Sequence, residues 1–378
     1  MQFRDLKAQH EVLKTDIDKG INDVISSTTF ISGKQVEELE KELADYVGVK
    51  HCITCGNGTD ALSMALMAWN LKEGDCAFVP DFTFFASAET VSFEGATPIF
   101  VDVDEKTYNI DPIKLENAIK KVIAEGKYNP KVIVAVDLFG LPADYDKIRL
   151  IADKYGLKIL EDGAQGFGGE INGKRACSFG DIATTSFFPA KPLGCYGDGG
   201  AIFTDDDETD KYLRSIRVHG KGSFKYDNIR IGWNSRLDTI QAAILIPKLK
   251  AFKEYERDKV NEAAKKYTAL LKDWVITPEY DVKYLSSWAQ YTIQLENEKE
   301  RDDLQKFLKD NGIPSMVYYP KPMHKQQAFS HFMVDDNNYG VTNRLCKTVL
   351  SLPMHPYIAD DVDLVSDKVI EFLKEYRN

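Results

Sequence analysis

Apolar and polar positions along the chain change period in a regular order. Val36, Leu39, Leu43 and Tyr46 recur at helical intervals up to Gly48, a natural helix stop, and Ser32-Gly33-Lys34-Gln35 before them has capping-box spacing. The short apolar stretch His51-Cys52-Ile53-Thr54-Cys55 reads as a strand. It is followed by the turn Gly56-Asn57-Gly58-Thr59-Asp60 and a helical pattern over 61–69. Apolar runs bounded by turn residues fall at 76–79, 98–103, 132–136 and 158–160, separated mostly by segments that can be helical. Two more, at 182–188 and 201–204, are joined by the glycine-rich loop 194–200. Strands alternating with helices predict an α/β fold with a mostly parallel central sheet covered on both faces.

Ser235-Arg236-Leu237-Asp238 repeats the capping-box spacing and opens a charged helix predicted to reach Lys272, kinked at Pro247. Beyond it, β-like runs at 289–295 and 313–319 flank a helical 298–310, the pattern of a small α+β unit. We therefore expect a large domain at 1–247 and a small C-terminal domain at 248–378.

At 378 residues and 43% hydrophobic content the chain can bury a large core. The balance of 48 basic and 59 acidic residues, a net charge of −11, speaks against a surface that binds nucleic acid over the whole molecule. No apolar run is long enough to span a membrane, and Met1-Gln2-Phe3-Arg4-Asp5 lacks the apolar region of a secretory signal, so the expected location is the cytoplasm. Six cysteines without a dense framework suit reduced thiols. Cys52 and Cys55 form a C-x-x-C, but without a second pair they read as buried strand residues, and no metal site is expected.

The candidate chemistry lies at the ends of the apolar runs. Lys191, in Ser186-Phe187-Phe188-Pro189-Ala190-Lys191, is placed like an anchored residue, although a lysine in a loop is ordinarily a solvated charge. Asp162 ends 157–162, where open α/β sheets bind ligands; it is a helix cap or a carboxylate that keeps a pyridinium nitrogen protonated. Gln165 either reaches a ring hydroxyl or meets solvent. Gly58, Thr59 and Asp60 open a helix and either hold a phosphate, with Ser186 adding a hydroxyl, or only turn the chain. Phe84, in Asp81-Phe82-Thr83-Phe84, offers a stacking face or is plain core.

Taken together and in order, these motifs, with Glu161-Asp162-Gly163-Ala164-Gln165, Gly197-Asp198-Gly199-Gly200-Ala201 and Asn234-Ser235-Arg236, resemble the set found in DegT-type sugar-nucleotide aminotransferases. The likeness runs from the first residues to Ser351-Leu352-Pro353-Met354-His355-Pro356. It implies a fold-type I enzyme dependent on pyridoxal 5'-phosphate, working as a homodimer with shared active sites. Lys191 matches the Schiff-base lysine, Asp162 the pyridine-nitrogen partner, Gln165 the ring-hydroxyl contact and Phe84 the stacking aromatic. Gly58, Thr59, Asp60 and Ser186 match the phosphate cradle. Asn234 matches a residue that reaches the phosphate from the neighbouring subunit, and Arg236, Thr29, Phe30, Tyr318 and Tyr319 match positions that touch substrate.

Within the family, Pro192-Leu193-Gly194-Cys195-Tyr196-Gly197 and the late Ser351 to Tyr357 stretch resemble enzymes that aminate C3 of a UDP-linked 2-acetamido-3-keto-hexuronic acid for bacterial surface polysaccharide, such as lipopolysaccharide O-antigen. The implied amino donor is L-glutamate. Ala190, Tyr318-Tyr319 and Gly163 depart from the pattern of those enzymes, which carry Ser, His-Tyr and Ala there. Other outcomes within reach are a dTDP-linked 3- or 4-keto-6-deoxyhexose as substrate, a sugar dehydratase, a relative that binds cofactor without turnover, and an amino-acid aminotransferase. The dehydratases lack this lysine.

Overall fold

The computed structural model describes residues 1–224, 226–332 and 335–378. In chain order the main elements are α1 (Leu6–Ser27), α2 (Lys34–Val47), β1 (His51–Cys55), α3 (Gly58–Ala68), β2 (Asp75–Pro80), α4 (Ala86–Phe93), β3 (Thr97–Val101), α5 (Pro112–Glu125), β4 (Asn129–Val136), α6 (Tyr145–Tyr155) and β5 (Lys158–Asp162). Two-residue strands β6 (Glu170–Ile171) and β7 (Lys174–Arg175) precede β8 (Ile182–Ser186), β9 (Gly200–Thr204) and α7 (Asp207–Ile216). Then come α8 (Thr239–Ala251), α9 (Arg257–Leu271), β10 (Tyr284–Leu285), β11 (Tyr291–Gln294), α10 (Glu298–Asp310), α11 (Gly340–Thr348), β12 (Val349–Leu352) and α12 (Val362–Tyr376).

Seven strands form the central sheet in the order β1-β9-β8-β5-β4-β2-β3. β3, β2, β4, β5 and β8 are parallel, and β9 runs against both β8 and β1. β1 therefore points the same way as the parallel strands, so β1, β2, β4, β5 and β8 all end at one edge. Strands buried on both faces need near-continuous apolar sequence, which is why β2 and β4 lack alternation. On one face Leu62, Leu66, Val91 and Leu213 from α3, α4 and α7 cover Val79, Val134, Leu160 and Ile202. On the other, Leu115, Ile119 and Ile148 from α5 and α6 cover Phe78, Ile133 and Ile159. A separate core gathers α9, β11, α10, β12 and α12 around Tyr267, Ile293, Leu304, Leu350 and Val369.

The expected strands at 76–79, 132–136, 158–160 and 201–204 are present, each within a residue or a few of its pattern. Cys52 and Cys55 are buried in β1 as unpaired thiols. Neither capping box forms. Ser32 has a left-handed backbone (φ 54°) and Gly33 caps α2, its N–H donating to Thr239 Oγ1 at 3.1 Å. α8 starts at Thr239, because the Ser235 hydroxyl is bonded to Asp60. Pro247 lies inside α8, and the departure from regular helix comes later, as a π turn over Phe252–Glu256. The run 313–319 is not a strand; only Met316 bridges, to Ser351. Among the described residues no helix is long and apolar enough to cross a membrane.

Candidate active site

The shared strand edge brings most of the expected residues together. Asp162 closes β5, 4% exposed. Its Oδ2 accepts from Ser87 Oγ at 2.7 Å and its Oδ1 from the Ala164 N–H at 3.2 Å, while Ser87 lies 3.1 Å from Thr83 Oγ1. Burial pushes the Asp162 carboxyl above its ordinary range; the Ser87 hydroxyl, the Ala164 N–H and the Lys191 charge oppose that push. Ser87 sits on α4, and nothing in a helical serine announces this duty.

Lys191 follows β8 in a loop that folds back on itself. Its N–H donates to Phe188 O (2.9 Å), and Cys195 N–H donates to Phe187 O (2.8 Å). A Cβ on Gly194 would fall 2.4 Å from Pro189 O, so this crossing admits no side chain. Arg4 donates to Pro192 O at 3.2 Å and Lys248 Nζ to Gly194 O, fixing the loop from outside. The half-buried Lys191 amine has no hydrogen-bond partner among the described residues. Burial lowers its pKa, the Asp162 charge raises it, and Arg4 lowers it further. Burial thus disfavours both charges, while each of the two opposite charges favours the other.

Gln165 is held on both sides, its Oε1 accepting from Phe139 N–H (2.7 Å) and its Nε2 donating to Tyr319 Oη (3.0 Å). Tyr319 is a step from Phe82 and Phe84, with ring centroids 6.0 and 6.4 Å away, and Tyr318 packs beside it at 5.7 Å. Phe82 is core, whereas Phe84 is 55% exposed.

At the start of α3, Asn57 caps the helix by accepting from the Asp60 N–H at 2.8 Å. The N–H groups of Gly58 and Thr59 donate to no acceptor among the described residues, which leaves the helix N-terminus open to an anion. Gly58 is pressed on Ser186: a Cβ there would lie 2.8 Å from Ser186 Cβ. Asp60 accepts from Ser235 Oγ (2.6 Å), which in turn accepts from the Gly56 N–H (2.9 Å). Asp60 thus braces the turn against the Asn234-Ser235-Arg236 segment.

The remaining candidates are not joined to this cluster within one chain. Asn234 is exposed, its backbone bridged to Val218. Half-buried Arg236 has no ion pair or hydrogen bond among the described residues. Thr29 and Phe30 are exposed on the loop after α1, where Phe30 O accepts from Thr239 N–H at 2.9 Å. Gly163, where the resembling enzymes carry alanine, packs against a buried thiol: a Cβ there would lie 2.6 Å from Cys177 Sγ.

A lone amine beside a buried acid, an open aromatic face and two unpaired N–H groups at a helix start fit the aldehyde, ring and phosphate of pyridoxal phosphate. The model of the DegT/DnrJ/EryC1/StrS aminotransferase family matches residues 11–370. The chain belongs to this family. It is a pyridoxal-phosphate-dependent aminotransferase of fold-type I. It is 45% identical, over 98% of both chains, to the UDP-2-acetamido-2-deoxy-3-oxo-D-glucuronate aminotransferase of Pseudomonas aeruginosa. Among solved structures it is similar to a DegT DnrJ EryC1 StrS aminotransferase from Brucella abortus (47% identity, TM-score 0.96, covering 98% of this chain and 99% of that one). It is also similar to DesV of S. venezuelae, solved with a ketimine intermediate (34% identity, TM-score 0.92, 98% of both). The chain is thus a sugar-nucleotide aminotransferase.

Proposed function

We propose that the protein moves an amino group from L-glutamate to C3 of a UDP-linked 2-acetamido-3-keto-hexuronic acid, leaving 2-oxoglutarate and the 3-amino sugar nucleotide. The observation that carries the reaction is the unpartnered Lys191 amine set against buried Asp162; likeness to the Pseudomonas enzyme supports the sugar. Bound pyridoxal phosphate supplies the electron sink that lets a C–H bond next to nitrogen break. Lys191 holds the cofactor and, once freed, its Nζ takes the proton from Cα of glutamate and later returns one to C3 of the sugar. Asp162 keeps a proton on the ring nitrogen. With the cofactor bound, Gln165 would serve the ring hydroxyl, Phe84 would stack on the ring, and Gly58, Thr59, Asp60 and Ser186 would hold the phosphate.

Arg236 is the anchor for a carboxylate, of glutamate or of the uronate, since no acid among the described residues pairs with it. Thr29, Phe30, Tyr318 and Tyr319 line the sugar and nucleotide. Asn234 is exposed because it serves the phosphate of a second subunit, which makes the working unit a homodimer. The cofactor machinery sits in 1–247, and 248–378 closes over it. The test is a panel of UDP- and dTDP-linked keto-sugars with glutamate, read by mass spectrometry. The UDP-keto-uronate gains nitrogen; amination of a keto-acid and of no sugar would overturn the assignment.

A further inference from the structure

Behind Asp162 the sheet buries two more carboxylic acids that the reaction above does not use. Asp137 follows β4 and Glu161 precedes Asp162 on β5; both are 0% exposed, and because Ala135 pairs with Glu161 across the two parallel strands, Asp137, two residues on, lies on the same side of the sheet as Glu161. The Glu161 acceptors are well supplied. Its Oε1 takes the Cys177 N–H, and its Oε2 the N–H groups of Phe179 (2.7 Å) and Gly180 (2.9 Å). Three backbone donors favour the ionised form.

Asp137 is served differently. Its Oδ1 accepts from Ala143 N–H (3.0 Å) and Tyr145 Oη (2.8 Å), but its Oδ2 is shut from solvent and has no donor among the described residues. The groups facing the pair are Tyr145 from α6, Cys177 from the turn before β8 and Asp162 from β5; no lysine or arginine among the described residues pairs with either acid. Two neighbouring carboxylates, buried away from water and without a paired cation among the described residues, do not both stay ionised. A proton on Oδ2 removes the repulsion and turns an orphaned oxygen into a donor.

We propose that Asp137 carries that proton and donates it to Glu161, so that the pair bears a single negative charge and acts as the positioning group for Asp162 and Gln165. The connections are direct. The Asp137 N–H donates to Asp162 O at 3.1 Å, and Asp137 presses on Gly166, where a Cβ would fall 2.4 Å from its carboxyl. Two residues on, Phe139 N–H holds Gln165 Oε1. A second charge on the pair would also oppose ionisation of Asp162. Burial and then the Glu161 charge push the Asp137 carboxyl well up, in agreement.

The positioning half of this inference rests on Asp162 holding the ring nitrogen; the protonation half does not. In the holoenzyme, D137N keeps an acceptor for Ala143 and Tyr145 and supplies an N–H to Glu161, so it mimics the protonated acid. We expect D137A to lower kcat/KM for glutamate by about ten-fold or more and to move the acid limb of its pH profile, and D137N to restore both to within about two-fold. Infrared difference spectra of wild type against D137N, read without turnover, should contain the carbonyl stretch of a protonated carboxyl at neutral pH. A D137N enzyme as poor as D137A, an E161Q enzyme that matches wild type while D137N fails, or the absence of that stretch would overturn the proposal. If D162N leaves the pH profile intact while the stretch is present, the fault lies in the reading of Asp162 instead.

Discussion

Ser87→Ala tests how Asp162, the proposed partner of the ring nitrogen, is kept ionised. Burial drives the Asp162 carboxyl toward its protonated form, and the first group opposing it is the Ser87 hydroxyl at 2.7 Å. A hydrogen bond to a buried ionised group contributes about 1.5–3 kcal/mol, and about 1.4 kcal/mol corresponds to ten-fold in an ionisation ratio. Removing the hydroxyl should therefore raise the pKa of Asp162 further and cut its ionised fraction in acid about ten- to hundred-fold. The sign is fixed: activity is lost at higher pH than in wild type, while the alkaline limb stays in place. The assay is the glutamate half-reaction, followed by the cofactor's visible absorbance from acid to neutral pH. Thr83→Val, one link further from Asp162, should move the limb in the same direction by less. A Ser87→Ala profile that superimposes on wild type would refute the reasoning.

Gly58→Ala should separate the start of α3 from β8, because the new Cβ meets Ser186 Cβ at 2.8 Å; dialysis should then strip cofactor from the variant faster than from wild type. Gly163→Ala should cost about 1–3 kcal/mol in stability by overpacking against Cys177, lowering Tm. In a Cys177→Ala background the same substitution should cost much less, and equal losses in the two backgrounds would remove the clash as the cause. Arg236→Met should raise KM for one carboxylated substrate by about ten-fold or more. Comparing a keto-uronate with the matching neutral keto-sugar tells whether that carboxylate belongs to the sugar or to glutamate.

The sheet was legible because strands buried on both faces must be apolar throughout, as 132–136 and 76–79 are. The same logic set Asp162 and the Gly58 turn at one edge, since residues at the ends of such runs fall there. Local signals failed where a side chain had a distant use. Ser235 has capping spacing, but its hydroxyl braces Asp60, 175 residues away in sequence. The run 313–319 looks extended, yet Tyr319 is held through its side chain to Gln165 rather than by a ladder. α1 went unread because it buries only Gln9, Ile17 and Val24 along 22 residues, too sparse a stripe to count. Ser87 on α4 reaches Asp162 75 residues away in sequence, and Asp137 and Glu161 are brought together by neighbouring strands, so no spacing along the chain encodes either.

On the proposed reaction Lys191 alone carries the cofactor. Borohydride treatment of the holoenzyme followed by peptide mapping tests it directly, with Lys191→Ala as the paired variant. Cofactor mass should be fixed on the peptide containing Lys191 and on no other, and Lys191→Ala should show no visible cofactor band tied to protein. Label on another lysine, or a retained band in the variant, would contradict it.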